Sequence, residues 1–387
     1  MDALPPAGDP AALTTCVDYH TAGEPFRIVT SAIPALPGGT VAQRRVSAQH
    51  HAGLDAIRRL LCHEPRGHAD MYGCFQVPPD DGEADLGVLF WHKDGYSTAC
   101  GHGTIALGVW AVESGLVPAN PDGSTSVTVD VPSGRVVARV QCAQGAVRSV
   151  AFRNIPSFVI ARGVEVPTSR GTVPITLTYG GAIYATVAAD ALGLSVATDQ
   201  LNALIALGRE IKRHIDDAGL AAHPDDARLS GLYGTIFYDD LGEERGCLHQ
   251  RNVTVFADGE VDRSPCGSGT CARIAELVAG ERLGIGDEFL HESIIGTSFR
   301  ARAVERLGDG ARAAVICEVE GMAYRTGEHR FVLDPADPLG PGSCSASALP
   351  TKARRVVPAA INRAALREWP ALMRRSISAL WCAPAAG

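Results

Sequence analysis

Cys100-Gly101-His102-Gly103-Thr104-Ile105-Ala106 and Cys266-Gly267-Ser268-Gly269-Thr270-Cys271-Ala272 spell the same string, C-G-x-G-T-x-A, and each leads into an apolar run. Glycines at a helix start let the backbone approach a ligand and leave N–H groups with no partner one turn back. Together with the positive end of the helix dipole they form an anion site. A cysteine at that place is expected to have a lowered pKa, because the same dipole favours the thiolate. Two such motifs can grip one carboxylate and set a sulfur on each face of its Cα. One thiolate removes the Cα proton, the opposite thiol delivers another, and the stereocentre inverts without a cofactor. Cys100 and Cys266 are therefore the candidate acid/base pair.

Other chemistries fit these residues less well. A Cys–His hydrolase needs an imidazole within reach of the sulfur. His102 lies two residues from Cys100, and i, i+2 side chains on a helix do not face each other. His20, His68 or His249 could arrive from elsewhere in the chain, but the second cysteine would then have no task. A pyridoxal enzyme needs a Schiff-base lysine, and Lys93, Lys212 and Lys352 sit in no suggestive setting. There is no Walker motif and no dinucleotide fingerprint after a strand. With no C-x-x-C pair and no zincin His pair, no metal site is expected. The expected cofactor is none. A non-catalytic amino-acid-binding module stays open as an alternative, although it would gain little from paired thiols.

The rest of the chain must position the two motifs. Its 387 residues, 46% of them hydrophobic, suffice for two cores. A net charge of -8 argues against nucleic acid or an anionic membrane as partner. No apolar run approaches the ~20 residues that span a bilayer. Met1-Asp2-Ala3-Leu4-Pro5-Pro6 has no basic or apolar signal region, so a cytoplasmic protein is expected. Eleven cysteines, an odd number, are expected to be reduced thiols, with Cys16, Cys62, Cys74, Cys142 and Cys317 as small core residues.

Apolar spacing predicts a helix over 48–61, with Leu54, Ile57 and Leu61 on one face and Arg58 and Arg59 opposite. Strands are expected at 71–77, 86–92, 126–131, 135–140 and 150–160. Residues 105–112 carry no charge, which suits a helix buried on every side. The second half repeats this order, with a helix expected from about Asp199 to Ile215. Gly181 follows Gly23 by 158 residues, Tyr233 follows Tyr72 by 161, Gly259 follows Gly95 by 164, and Cys266 follows Cys100 by 166. Collinear pairs with slowly drifting offsets indicate an internal duplication. Further strands are expected at 298–304, 313–319 and 330–333. We expect an N-terminal domain at 14–165, a second at 166–340 whose last strand returns to the first, and a basic extension at 341–387.

Asp262-Arg263-Ser264-Pro265-Cys266-Gly267-Ser268-Gly269-Thr270 closely resembles the D-R-S-P-C-G-T-G-T signature of the proline racemase family. Cys100-Gly101-His102-Gly103 resembles that family's M-C-G-H-G. His20-Thr21-Ala22-Gly23-Glu24-Pro25 and Glu64-Pro65-Arg66-Gly67-His68 are similar to its H-T-G-G-E-P and E-P-R-G-H landmarks. The resemblance spans about residues 14–340. It implies the diaminopimelate-epimerase fold, an α/β (α+β) arrangement of two pseudo-symmetric domains, each a mostly antiparallel, barrel-like sheet around a central helix. It also implies a homodimer. By motif, Cys100 and Cys266 are implied as the acid/base thiols. The N–H groups of Gly101, His102, Gly267 and Ser268 are implied to hold the substrate carboxylate, and Asp262 its ammonium. No catalytic role transfers to His20, Arg66 or His68.

The family includes proline racemases, 4-hydroxyproline 2-epimerases and trans-3-hydroxy-L-proline dehydratases. Dehydratase members typically carry Thr where this chain has Cys266, so two cysteines favour inversion, of the 4-hydroxyproline 2-epimerase type. The stretches 66–73, 95–97 and 232–236 read more like the dehydratase branch, so dehydration is the alternative. Ala99 stands where many members have Met.

Overall fold

The computed structural model describes residues 13–310, 313–334, 336–340 and 342–343. The expected basic extension lies, beyond Ser343, outside the described residues. The first half contains β1 (Leu13–Thr21), β2 (Glu24–Val29), α1 (Val41–Gln49), α2 (Ala52–Cys62), β3 (Tyr72–Val77), β4 (Leu86–His92), β5 (Gly95–Tyr96), α3 (Gly101–Glu113), β6 (Gly123–Val131), β7 (Gly134–Ala143) and β8 (Ala146–Arg153). After the connecting β9 (Ser157–Thr168) come β10 (Gly171–Tyr179), β11 (Ile183–Ala188), α4 (Leu201–Asp217), β12 (Leu232–Glu244), β13 (Cys247–Phe256), β14 (Glu260–Asp262), α5 (Gly267–Ala279), β15 (Phe289–Ser293), β16 (Ser298–Leu307) and β17 (Ala314–Gly321). The last strand is β18 (Ala323–Val332).

The strand pairings show the duplication directly. In the second copy, β9, β10, β11, β12, β13, β15, β16 and β17 pair in that order, and β17 pairs back with β9 to close a ring. In the first copy β18, β1, β2, β3, β4, β6, β7 and β8 follow one another. β8 then pairs with β17, which runs through Met322 into β18. The parallel steps fall at matching places: β2–β3 and β4–β6 in one copy, β11–β12 and β13–β15 in the other. All other pairings are antiparallel.

Each ring encloses one helix. Every residue of α3 from Gly101 to Ala111 is buried, as a charge-free helix requires. α5 is buried over Gly267–Ala275, and its one buried cation, Arg273, is satisfied by Gln250 Oε1 and Glu276. Outer helices cover the other faces of the strands. Leu204, Leu207, Ile211 and Ile215 of α4 pack on the second ring, and Leu54 and Leu61 of α2 on the first. β4 is therefore buried at every position, with no polar alternation.

Two local expectations need correction. The single helix over 48–61 is two helices. His51 leaves helical geometry and caps α2 by accepting from Leu54 N–H, while Thr40 and Gln43 form a capping box for α1. Arg58, expected on the solvent side, is buried. Its guanidinium reaches back to Asp55 and inward to the carbonyls of His92 and Lys93, an arrangement that helical spacing alone does not reveal. All nine described cysteines are free thiols, and Cys16, Cys62, Cys74, Cys142 and Cys317 are buried as expected. Among the described residues no helix is long and apolar enough to cross a membrane.

Candidate active site

The N-termini of α3 and α5 meet head to head. A Cβ placed on Gly101 would lie 2.6 Å from Gly267 Cα, and one on Gly267 would lie 2.8 Å from Gly101 Cα. Real Cβ atoms do not approach backbone so closely, so both glycines are required for the two helix starts to touch. Each start carries N–H groups with no acceptor one turn back, and both sets converge on one place.

The two cysteines are held differently. Cys100 is the N-cap of α3 in extended geometry (φ -156°), and its Sγ accepts from Gly103 N–H at 3.2 Å. Cys266 has φ +63°, a region few side-chain-bearing residues adopt and one that concentrates at functional sites. Its N–H donates to Ser264 Oγ at 3.0 Å, while the Ser264 hydroxyl and N–H donate to Asp262 Oδ1 at 2.7 and 2.8 Å. This run of bonds ties the carboxylate of β14 to the backbone of the second cysteine.

The lowered thiol pKa expected from the helix dipole is overturned. Cys100 and Cys266 are 5% and 4% exposed. Burial pushes both thiols well above their ordinary value, and the nearby Asp262 carboxylate adds to the rise. The Gly103 N–H counters this at Cys100 and the Tyr184 hydroxyl counters it at Cys266, without reversing it. Desolvation outweighs these contacts because both cysteines are buried. Asp262 is likewise pushed up by burial, to about 6, even though Ser264 donates to it.

The structure also corrects the reading of His102. Because Cys100 caps the helix rather than lying within it, the i, i+2 rule for helical pairs does not apply. The imidazole nitrogens lie 3.5 Å from Cys100 Sγ, and Nδ1 is 4.0 Å from Asp262 Oδ2. Burial drives the His102 pKa down to about 3, so the ring is neutral. It is packed edge-on by Phe26 and Tyr72, and Thr21 Oγ1 donates to its carbonyl at 2.9 Å.

Cys100, Gly101, His102, Asp262, Cys266, Gly267 and Ser268 thus surround one point. His20 and Arg66 are held by other contacts, and His68 lies close enough to Arg263 and Asp70 to feel their charges. His20 accepts from Gly23 N–H and stacks on Tyr324, and Arg66 reaches Gly340 and Asp337. The sequence reading missed Tyr184, whose hydroxyl is 2.7 Å from Ser268 Oγ and 3.7 Å from Cys266 Sγ. The duplication held the signal, since Tyr184 follows Phe26 by the same 158 residues that separate Gly23 and Gly181. Where the first copy places Phe26 against His102, the second places Tyr184 against Ser268. Tyr72 also lines this region, bonded to Ser97 Oγ and 3.4 Å from the Tyr233 hydroxyl. Glu24 and Arg263, inside recognised motifs but given no task, form an ion pair beside Asp262.

Two ring-like sheets, each around a helix and joined head to head, define the diaminopimelate-epimerase class of fold. A Bacillus anthracis phenazine biosynthesis protein of the PhzF family shares it with a TM-score of 0.52 over 83% of this chain and 99% of that one, at 12% identity. Within that class the chain belongs to the proline racemase family, whose model matches residues 16–344. It is 42% identical over 328 residues to a trans-3-hydroxy-L-proline dehydratase of Bacillus cereus, covering 85% of this chain and 97% of that protein. It is 44% identical over 324 residues to a 3-hydroxyproline 2-epimerase of Burkholderia multivorans, covering 84% and 95%. The crystal structure of an Agrobacterium vitis hydroxyproline epimerase with bound trans-4-hydroxy-L-proline superposes with a TM-score of 0.78 at 31% identity, covering 85% of this chain and 95% of that one.

Proposed function

We propose that this protein is a cofactor-independent hydroxyproline 2-epimerase in which Cys100 and Cys266 exchange the Cα proton. The observation that carries the reading is the pair of cysteines at two helix starts brought together by the Gly101–Gly267 contact. The N–H groups of Gly101, His102, Gly267 and Ser268 hold the substrate carboxylate, with no counter-cation needed at the helix ends. Asp262 holds the ammonium, and the neutral imidazole of His102 stands beside it, its Nδ1 4.0 Å from Asp262 Oδ2. One sulfur must first give up its proton, which burial opposes; the Cα–H bond then breaks toward that thiolate, which becomes a thiol. The opposite thiol gives its proton to the other face and is left as the thiolate. Domains at 14–165 and 166–340, with β18 returning to the first, and a cytoplasmic homodimer are part of the same proposal.

Relatives of 41–44% identity are named for 3-hydroxyproline chemistry, whereas the structure holding a 4-hydroxyproline is 31% identical. The ring position expected from sequence, C4, is therefore joined by C3. A second reading is dehydration of trans-3-hydroxy-L-proline, favoured by relatives bearing that name. The test is a panel of proline, 4-hydroxyproline and 3-hydroxyproline followed by chiral chromatography. Inverted substrate is expected. A pyrroline product with no epimer from any substrate would establish the second reading instead, and no turnover at all would sink both.

The reading carries a pH dependence. Asp262 must be ionised to hold an ammonium, and its carboxyl titrates at about 6. kcat/KM is therefore expected to fall about tenfold per pH unit below that value, as the carboxylate gains a proton. In Asp262→Asn this limb should vanish together with most of the activity. For stability the sign is reversed: a buried carboxyl with a raised pKa weakens the fold above pH 6 and is relieved as pH drops through 6.

A further inference from the structure

The segment that carries Asp262 is fastened to the opposite copy at successive positions. Asp258 N–H donates to Asp94 Oδ2 at 3.0 Å. The Glu260 carboxylate lies 3.4 Å from His92 Nδ1 and 3.5 Å from Lys93 Nζ. Val261 N–H donates to Asp70 Oδ1 at 3.0 Å. Arg263, placed between Asp262 and the Cys266 turn, makes the densest contact. Its N–H and Nε donate to Glu24 Oε2 at 2.8 and 2.9 Å, and its Nη1 donates to Asp70 Oδ2 at 3.1 Å. Glu24 is fully buried, follows the Ala22-Gly23 turn, and its second oxygen has no protein partner. One guanidinium from the second copy thus joins two acids of the first, next to the carboxylate that precedes Cys266.

We propose that Arg263 is a positioning residue, a clamp that holds the Asp262–Cys266 segment against the first copy and so fixes the placement of Cys266 and Asp262 opposite Cys100 and His102. A planar five-donor group suits this task because it bonds two carboxylates and keeps its charge. It also separates two acids that would otherwise repel, Glu24 and Asp262. The charged and titratable groups facing Asp262 are Glu24, Arg263, His102, Cys100 and Cys266. Arg263 is the one permanent cation among them, and it draws Asp262 toward the ionised form. The consequence for turnover rests on the proposed epimerase reading; the closure of the site does not.

The test reads closure without substrate. Iodoacetamide labelling is followed by mass spectrometry at Cys100 and Cys266, with the fully buried Cys74 and Cys317 as reporters of the rest of the fold. In Arg263→Gln, labelling of Cys100 and Cys266 is expected to rise about tenfold, the scale of losing charged hydrogen bonds, with Cys74 and Cys317 unchanged. Arg263→Lys, able to reach one acid but not both, should fall between. Asp70→Asn, which keeps an acceptor for Val261 N–H, should change labelling in the same direction and less. It decides the matter if Arg263→Gln does not fold. Labelling of all four cysteines in parallel, or of none in any variant, would overturn the proposal. With hydroxyproline, Arg263→Gln should lower kcat and move the acid limb of kcat/KM to higher pH. A wild-type protein that turns over no imino acid would refute the epimerase reading and leave the labelling result standing.

Discussion

Cys266→Thr is expected to remove Cα inversion, by about 10²- to 10⁴-fold, the scale of one positioned proton donor or acceptor. A threonine hydroxyl can neither give nor take a proton at the second face near neutral pH, so two-base chemistry stops. Elimination from trans-3-hydroxy-L-proline needs one base, Cys100, and assistance to a leaving hydroxide. Any such activity should survive the change. The backbone at 266 complicates a simple reading, because φ is +63° and a β-branched side chain there is strained. Cys266→Ser separates the two effects. It carries a hydroxyl without the branch and should lose inversion equally while melting close to the wild type. Chiral chromatography and pyrroline absorbance on both variants read the outcome. Inversion retained in either would mean that Cys266 is not an acid/base group.

Gly101→Ala is the second large effect. The added methyl would stand 2.6 Å from Gly267 Cα and 2.7 Å from Ser268 N, with backbone rather than a flexible side chain in the way. The two helix starts must separate, and an ångström of separation is enough to cost roughly 100-fold in rate. The expected result is loss of turnover with retained secondary structure by circular dichroism. Gly53→Ala, in α2 with only His51 near its new methyl, is the control. It should keep full activity and gain up to about 1 kcal/mol from helix propensity. Normal turnover in Gly101→Ala would show that head-to-head contact is not needed for catalysis.

These two positions also show how far the chain could be read before its fold was known. The repeated string contains the duplication and the central helices, because each depends on local chemistry or on spacing that translates into three dimensions; that its glycines let the two helix starts touch emerges only from the tertiary contact. The matching parallel steps, β2–β3 and β11–β12, follow from that duplication. Long-range desolvation was not legible. A thiol at a helix start looks activated until the second half of the molecule closes over it, and burial then reverses the sign. The approach of the His102 imidazole to Cys100 is hidden from helical side-chain rules, which do not hold at a cap. Tyr184 was recoverable, since its offset from Phe26 equals that of the glycine turns. Arg263 and Glu24 lay in plain view within two motifs, yet only the tertiary contact between copies gives them a task.

The most direct measurement of the central claim follows the Cα proton itself. A hydroxyproline incubated with the wild-type protein in D2O, with reductant present, is expected to yield the C2 epimer carrying deuterium at Cα, seen by NMR and resolved by chiral chromatography. Epimer formed with its original protium fully retained, or no epimer and no deuterium at Cα from any proline or hydroxyproline, would contradict exchange through two opposed thiols.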